Sequence, residues 1–359
     1  MKLNNNGTIQ WQKSLGGTDT EAARAIQQTD DGGYIVSGYS NSNDNDVSGN
    51  HGGMDFWIVK LDNTGTIQWQ KSLGGSGNDL SYSIQQTNDG GYISAGLSTS
   101  NDGDVSGNHG GNDYWIVKID NGGVIQWQKS LGGTATDNAN SIQQTSDNGY
   151  IIAGVTSSND GDVTINNGGA DYWVVKLDNN GIIQWQKSLG GTGGENAFEV
   201  QQTNDNEYII AGYSGSNDGD VTGHHGTSSI LDYWVVKLDN TGTIQWEQSY
   251  GGTDQDYGSG IQQTSDNGYV VTGYSQSTDG DITGNHNSRD YWLLKLNNLG
   301  GIQWQKSIGG TSGDDAFNTK QTSDGGYIVA GSSFSNDGDV TGHHGATNTY
   351  DYWVVKLEG

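Results

Sequence analysis

The residues best suited to chemistry come as a repeated pair of carboxylates. Asp102 and Asp104, Asp160 and Asp162, Asp218 and Asp220, Asp279 and Asp281, and Asp337 and Asp339 each flank a glycine in a stretch close to Ser-Asn-Asp-Gly-Asp-Val; Asp44 and Asp46 hold the same place around Asn45. Carboxylates at i and i+2, with Asn101 and its equivalents beside them, can offer oxygens to Ca²⁺, which takes six to eight ligands at about 2.3–2.6 Å. The same string is also ordinary turn chemistry, in which aspartate caps its own backbone. No full EF-hand or RTX spacing accompanies it. All the histidines fall in this stretch: His51, His109, His224, His225, His286, His343 and His344, with Asn167 in the third copy. An imidazole bonded to a loop carbonyl or packed on tyrosine accounts for them. A transition metal needs two or three converging rings, and the neighbours of each His-His pair point apart in an extended segment. The candidate ligand-binding residues are therefore Asn101, Asp102, Asp104, His109, Asp160, Asp162, Asp218, Asp220, His225, Asp279, Asp281, His286, Asp337, Asp339 and His344. The paired aspartates, Asp44 and Asp46 included, are the candidates for Ca²⁺, the one cofactor suggested.

Catalysis is not expected. An enzyme needs an acid, base or nucleophile in unique, differently tuned surroundings, whereas one loop recurs here six times. No nucleophile elbow, phosphate loop or metalloprotease motif is present. A formal charge of -27 excludes a nucleic-acid footprint. Most lysines sit in strands, in WQKS (Lys13, Lys71, Lys129, Lys187, Lys306) and VVKL-type runs (Lys60, Lys118, Lys176, Lys237, Lys295, Lys356), leaving Arg24 and Arg289 as the bases that stand out near the long loops. The loop face should thus carry a negative field attractive to Ca²⁺ or basic partners. The same charge opposes self-association, and a monomer is expected. The chain has no cysteine, so disulfides and thiolate metal sites are excluded. No apolar run approaches the roughly 18 residues of a membrane span, so no membrane insertion is expected. Residues Met1 to Leu15 lack the basic and apolar regions of a signal peptide.

The elements that must position these loops belong to a repeat. The string Ile-Gln-Trp places Trp11, Trp69, Trp127, Trp185, Trp246 and Trp304 at spacings of 58, 58, 58, 61 and 58, and a second series follows Tyr or Phe at Trp57, Trp115, Trp173, Trp234, Trp292 and Trp353. Each unit reads as four strands bounded by Gly, Asn and Asp turns. In the second unit these are A (Ser81 to Thr87), B (Gly91 to Ser98), C (Asp113 to Asp120) and D (Gly123 to Leu131). Alternation in D, with Ile9, Trp11, Lys13 and Leu15 on one face and Thr8, Gln10, Gln12 and Ser14 on the other, describes a half-exposed outer strand. C is apolar on both faces and must lie between sheets. B ends on small residues such as Ala95-Gly96, and A, with its Gln-Gln-Thr, reads as a short inner strand.

The chain opens with a D strand (Gly7 to Leu15) and closes with a C strand (Tyr352 to Leu357). An open stack would leave two sticky edges, whereas a closed one lets the first strand complete the last sheet. The expected fold is all-β: a six-bladed β-propeller of four antiparallel strands per blade, its ring closed by the N-terminal strand completing the C-terminal blade. An open β-solenoid is the competing reading, but such repeats are usually shorter and lack the four-strand division. The blades run approximately 16–73, 74–131, 132–189, 190–250, 251–308 and 309–359 with 1–15, in one domain of residues 1–359. In such a blade the D-to-A and B-to-C connections share one face. Both are long (Gly74 to Leu80, Thr99 to Asn112), and units four and six add three residues each between His225 and Asp232 and between His344 and Asp351.

The combination of DGGYI, AGYS, DYWVVKLD and GTIQWQKSLGG resembles tandem repeats of secreted or surface proteins of Bacteroidetes, many exported by the type IX route, and is similar more loosely to quinoprotein-type propellers. The resemblance covers essentially the whole chain. It implies an extracellular or cell-surface propeller module, without implying a shared activity.

Equivalent loops on one rigid face suit multivalent binding of a repeated ligand, because avidity makes weak contacts count. The functional expectation is a non-catalytic, lectin-like binding module for a glycan or protein surface, assisted by Ca²⁺. The alternative is a structural or adhesion spacer in a larger surface protein, with near-identical blades reflecting duplication alone.

Overall fold

The computed structural model describes residues 1–4, 6, 8–344 and 349–359; Gly7 of the expected opening strand and part of the insertion between His344 and Asp351 lie outside them. The described residues form strands and no helix. A hairpin of β1 (Lys2–Leu3) and β2 (Ile9–Trp11) comes first. The first blade is β3 (Glu21–Gln28), β4 (Tyr34–Ser40), β5 (Asp55–Leu61) and β6 (Ile67–Leu73). The second is β7 (Asp79–Gln86), β8 (Tyr92–Ser98), β9 (Asp113–Ile119) and β10 (Ile125–Leu131). The third is β11 (Asp137–Gln144), β12 (Tyr150–Thr156), β13 (Asp171–Leu177) and β14 (Ile183–Leu189). The fourth is β15 (Glu195–Gln202), β16 (Tyr208–Ser214), β17 (Asp232–Leu238) and β18 (Ile244–Tyr250). The fifth is β19 (Asp256–Gln263), β20 (Tyr269–Ser275), β21 (Asp290–Leu296) and β22 (Ile302–Ile308). The sixth is β23 (Asp314–Gln321), β24 (Tyr327–Ser333) and β25 (Asp351–Leu357). Strand order within each sheet follows the chain, with neighbouring strands antiparallel. The fold class is that of a six-bladed β-propeller. Two compact units divide the chain, one of residues 1–165 with 175–184 and one of 166–174 with 185–359.

Two expectations change. Strand A is the longest of the four, at eight residues, because its opening carboxylate (Asp79 in β7) already lies in the ladder opposite Ser98. Among the described residues the opening strand, moreover, pairs with β1 rather than with the last sheet, and β25 is the edge of a three-stranded sheet. The cause is local. Lys2–Leu3 and Ile9–Trp11 repeat the end of a C strand and the start of a D strand, and they pair as Lys2 with Trp11 just as Lys60 pairs with Trp69. A short hairpin costs far less closure entropy than a contact some 340 residues away.

Burial follows alternation. Strands β5, β9, β13, β17 and β21 are buried at every residue, as expected of strands covered on both faces. The D strands β6 and β10 are exposed or half-buried toward their starts. Their tryptophans meet the next blade edge-on, Trp69 against Tyr92 at 5.8 Å and Trp127 against Tyr150 at 5.7 Å. The turn glycine Gly65 (φ +80°) touches Trp11, so the turn needs both a left-handed backbone and the absence of a side chain.

The first, second, fourth and fifth blades each carry two register shifts. One skips Gln68 in β6 and Gln126 in β10, and these glutamines accept hydrogen bonds from the buried lysines Lys60 and Lys118 at 3.1 and 3.0 Å. The same lysines pair with the turn aspartates Asp31 and Asp89, both at 2.8 Å. Lys60, Lys118, Lys176, Lys237 and Lys295 are thus buried bolts at the short-turn end rather than surface charge. The other shift skips one residue of each A strand, among them Arg24, Ser259, Phe317, Tyr82 and Phe198. A bulge of this kind re-aims the side chain it leaves unpaired.

Candidate functional site

The Asp-Gly-Asp pairs lie in the B-to-C loops as expected, and each closes onto the D-to-A loop of its own blade. The first aspartate takes the backbone N–H across the gap: Asp44 from Thr18 (2.9 Å), Asp102 from Ser76 (2.7 Å), Asp160 from Thr134 (2.8 Å), Asp218 from Thr192 (2.7 Å), Asp279 from Thr253 (2.8 Å) and Asp337 from Thr311 (2.8 Å). The threonine hydroxyls donate to the second oxygen, as Thr134 does to Asp160 at 2.8 Å. The second aspartates, Asp46, Asp104, Asp162, Asp220, Asp281 and Asp339, accept from the N–H of Gly16, Gly74, Gly132, Gly190, Gly251 and Gly309 at 3.1 to 3.3 Å. Asn101 accepts from Gly107 N–H within its own loop at 3.2 Å. Backbone donors first, and hydroxyls second, hold the Asp102, Asp160, Asp218 and Asp279 carboxyls below the usual range. Among the described residues no group of three or more His, Asp or Glu converges as it would around a metal ion.

The histidines bond to a carboxylate that the sequence reading passed over. His51, His109, His225 and His286 set Nδ1 at 2.8, 2.8, 3.0 and 2.7 Å from the buried aspartate opening strand C: Asp55, Asp113, Asp232 and Asp290. The backbone N–H at the same position donates to that carboxylate too, and does so where asparagine replaces histidine, Asn167 to Asp171 at 2.7 Å. The His-His pairs correct an expectation. His224 and His225 both approach Asp232, at 3.5 and 3.0 Å, and His343 and His344 both approach Asp351, at 3.5 and 3.4 Å. The segment is not extended, since Gly226 turns at φ +81°.

Beside five of the strand-C carboxylates lies a second, from the start of strand A. The pairs are Asp55 with Asp79, Asp113 with Asp137, Asp171 with Glu195, Asp232 with Asp256 and Asp290 with Asp314, all fully buried or nearly so. Gly74 fits between Asp55 and Asp79 only because it has no side chain: a Cβ there would stand 2.5 Å from Asp79 Oδ2 and 2.8 Å from Asp55 Oδ1. Burial pushes Asp55, Asp171 and Asp256 up to about 6 and Asp232 up to about 7, with the partner carboxylate adding to the burial for Asp55, Asp171 and Asp232. The available signal was an aspartate opening an otherwise apolar strand in every copy.

A second missed feature breaks the repeat. In the fourth and fifth blades Phe198, Tyr213, Tyr257 and Tyr274 form a continuous half-buried row at the long-loop ends of the A and B strands. Ring centroids are 5.2 Å apart for Phe198 and Tyr257, 4.7 Å for Tyr213 and Tyr257, and 5.2 Å for Tyr257 and Tyr274, the last pair stacked within 3°. The Arg289 guanidinium lies over Tyr274 at 5.3 Å, 3.5 Å from Asp315 and 3.4 Å from the Tyr350 hydroxyl. Tyr350 stacks on Phe334. The first and second blades have a smaller counterpart, Arg24 over Tyr39 and Tyr82 at 5.5 and 5.8 Å. The signal was variation: these rings occupy positions where other copies carry Leu97, Val155, Asn138 or Asn140.

No family model matches the chain. It is 26% identical over 164 residues to the regulatory protein FlaEY of Caulobacter vibrioides, an alignment covering 44% of this chain and only 17% of that protein. Among solved structures it is similar to a Bacteroides caccae protein of unknown function (11% identity, TM-score 0.49, 84% of this chain and 87% of that one). It is also similar to the Pan2 WD40 domain of Neurospora crassa (11%, 0.48, 86% and 85%). A subtype N11 neuraminidase-like protein of A/flat-faced bat/Peru/033/2010 (H18N11) gives 12%, 0.46, 93% and 88%. Likenesses at this level assign no activity.

Proposed function

We propose that this chain is a non-catalytic binding module, extracellular or at the cell surface, whose ligand surface is the long-loop end of the blades. The observation that carries the reading is the row Phe198, Tyr213, Tyr257 and Tyr274 capped by Arg289. It joins a half-exposed stacking surface to a guanidinium and to the nearby Asp315 carboxylate. Flat apolar faces edged by hydrogen-bonding groups suit sugar rings or the aromatic and acidic side chains of a protein. The aspartate pairs support this surface by tying the two long loops of each blade together, and the Ca²⁺ expectation becomes one arm of the test. Glycan-array and pull-down binding, run in calcium and in chelator, should be lost in Tyr257→Ala and Arg289→Ala while the fold is retained. Silence of the unaltered protein in both buffers would overturn the proposal. The spacer alternative has its own support: the residues repeated most faithfully, the Asp-Gly-Asp carboxylates, are taken up in closing loops. Under it, those substitutions change nothing beyond local order.

A further inference from the structure

Five A-to-B turns place glycine before the strand-B tyrosine, Gly33, Gly91, Gly149, Gly268 and Gly326, and the fourth blade places Glu207 there. Space explains the glycine. A Cβ at Gly268 would collide with the Leu296 carbonyl oxygen and the Lys295 ammonium, and one at Gly91 with those of Ile119 and Lys118. In the fourth blade the lysine has given way. Lys60, Lys118, Lys176 and Lys295 donate to the carbonyl of the next residue and to the first glutamine of strand D. Lys237 instead donates to Thr203 and Asp205 and lies 3.2 Å from Glu207 Oε2. Gln245 is thereby released, and its amide turns to Asp239 at 3.4 Å.

Two further departures from the repeat meet at the same place. The tip of the fifth blade's C-to-D turn is Leu299, 75% exposed, where other copies have Thr64, Gly122, Asn180 and Thr241. Strand D of the fourth blade ends on Tyr250, where the others have leucine or isoleucine, and this buried tyrosine donates its hydroxyl to the Gly300 carbonyl of that turn. At two corresponding joints tryptophan holds the turn, Trp69 donating to the Asn121 carbonyl at 3.1 Å and Trp185 to that of Asn240 at 3.2 Å. Here Trp246 walls a cavity of about 590 Å³ between the fourth and fifth blades, together with Glu207, Gln245, Asn298 and Leu299. Small-molecule sites have about this size, roughly 300–1,000 Å³. Within so regular a repeat, substitutions from separate segments have converged on one cavity.

We infer that this cavity is a second ligand site, at the short-turn end and separate from the aromatic row, and that it takes a neutral saccharide ring. Trp246 and Leu299 supply an apolar wall for the C–H face of a sugar. The Gln245 and Asn298 carboxamides each offer donors and an acceptor, and the Glu207 carboxylate adds acceptors, a set that matches hydroxyls able to both donate and accept. The charges in the lining are answered within the protein, since Asp205 and Glu207 share the Lys237 ammonium. A cationic ligand would have to compete with that lysine, and an anionic one would meet two carboxylates. The site does not depend on the reading of the long-loop end.

Saturation-transfer NMR with methyl glycosides of neutral hexoses tests it, in the unaltered chain and in one carrying Tyr257→Ala and Arg289→Ala, which removes any binding by the row. Expected is a signal for at least one glycoside in both chains, reduced several-fold by Glu207→Gly and by Leu299→Thr. Each of these installs a residue that other blades carry at the same position, so the fold is retained, and a thermal melt verifies it. Silence of both chains overturns the proposal, as does a signal that vanishes with the row or one that either reversion leaves unchanged. A response to n-butylammonium in place of the glycosides, lost in Glu207→Gly, would reveal a cation site and overturns it as well.

Discussion

The two ends of a blade use the same residue, aspartate, with opposite energetic sign. At the short-turn end Asp31 meets the buried Lys60 ammonium, hydrogen bonds from Lys60, Thr29 and Gly33 hold its carboxyl near 2, and Asp89, Asp147 and Asp266 repeat the arrangement. At the long-loop end Asp55, Asp171, Asp232 and Asp256 are buried beside a second carboxylate with no lysine among their hydrogen-bond partners, and lie near 6 or 7. The difference shows where the fold is secured and where it holds tension. Ion pairs with one buried partner anchor the turns, while the loop face keeps costly carboxylates whose N–H partners shape the loops.

The largest effect that would test this contrast is the response to pH. The loop-end groups are raised above their unfolded values, so the folded state binds more protons than the unfolded one between about pH 4 and 7, and stability falls as pH rises through that window. The turn-end groups are lowered, and their contribution is lost only as pH falls through about 2. Tm should therefore rise by several degrees from about pH 8 to about pH 5, and should still do so in about 0.5 M salt, where repulsion among surface charges is screened. A flat or inverted profile would contradict the raised loop-end carboxylates.

Lys176→Met comes next. It keeps the packing volume but removes the donor to Asp147, Gln184 and the Leu177 carbonyl, and should cost about 2 kcal/mol at neutral pH, discounted because Asp147 is half exposed. The denaturant midpoint measures it. Asp232→Asn should act the other way. The amide retains an acceptor for the His225 N–H and removes one of two buried negative charges, so stability at pH 8 should rise by about 1 kcal/mol and the pH dependence should flatten. Asp160→Ala is the smallest, a change in Tm too small to separate from the parent, because the group is exposed on the loop surface. Its signature is faster hydrogen exchange at Thr134, with core amides unchanged.

Much of the blade was legible before any coordinates. Period-two alternation around Trp11 and the apolar run around Trp115 gave the half-exposed and fully covered strands, and the Asp-Gly turns marked their ends. What stayed hidden depended on contacts between segments far apart in sequence. Nothing near Lys60 announces that it is buried, because its partner Asp31 is a turn residue of another strand. Phe198 and Tyr257 meet only because neighbouring blades bring their A strands together and a bulge turns Phe198 out of its ladder. The Asp102 and Asp104 carboxylates looked available for a ligand because the N–H groups of Ser76 and Gly74, which occupy them, belong to another loop.

From the sequence by itself came the number of blades, their four-strand plan and the face on which the long loops lie, since these rest on local periodicity and turn chemistry. The tertiary structure alone decided which carboxylates face lysines and which face each other, where the aromatic row forms, and that the first strand pairs with its own neighbour. Each of these is a competition between partners, and the winner depends on proximity in space, solvent exclusion and the entropy of closing a chain, none of which a repeat pattern encodes.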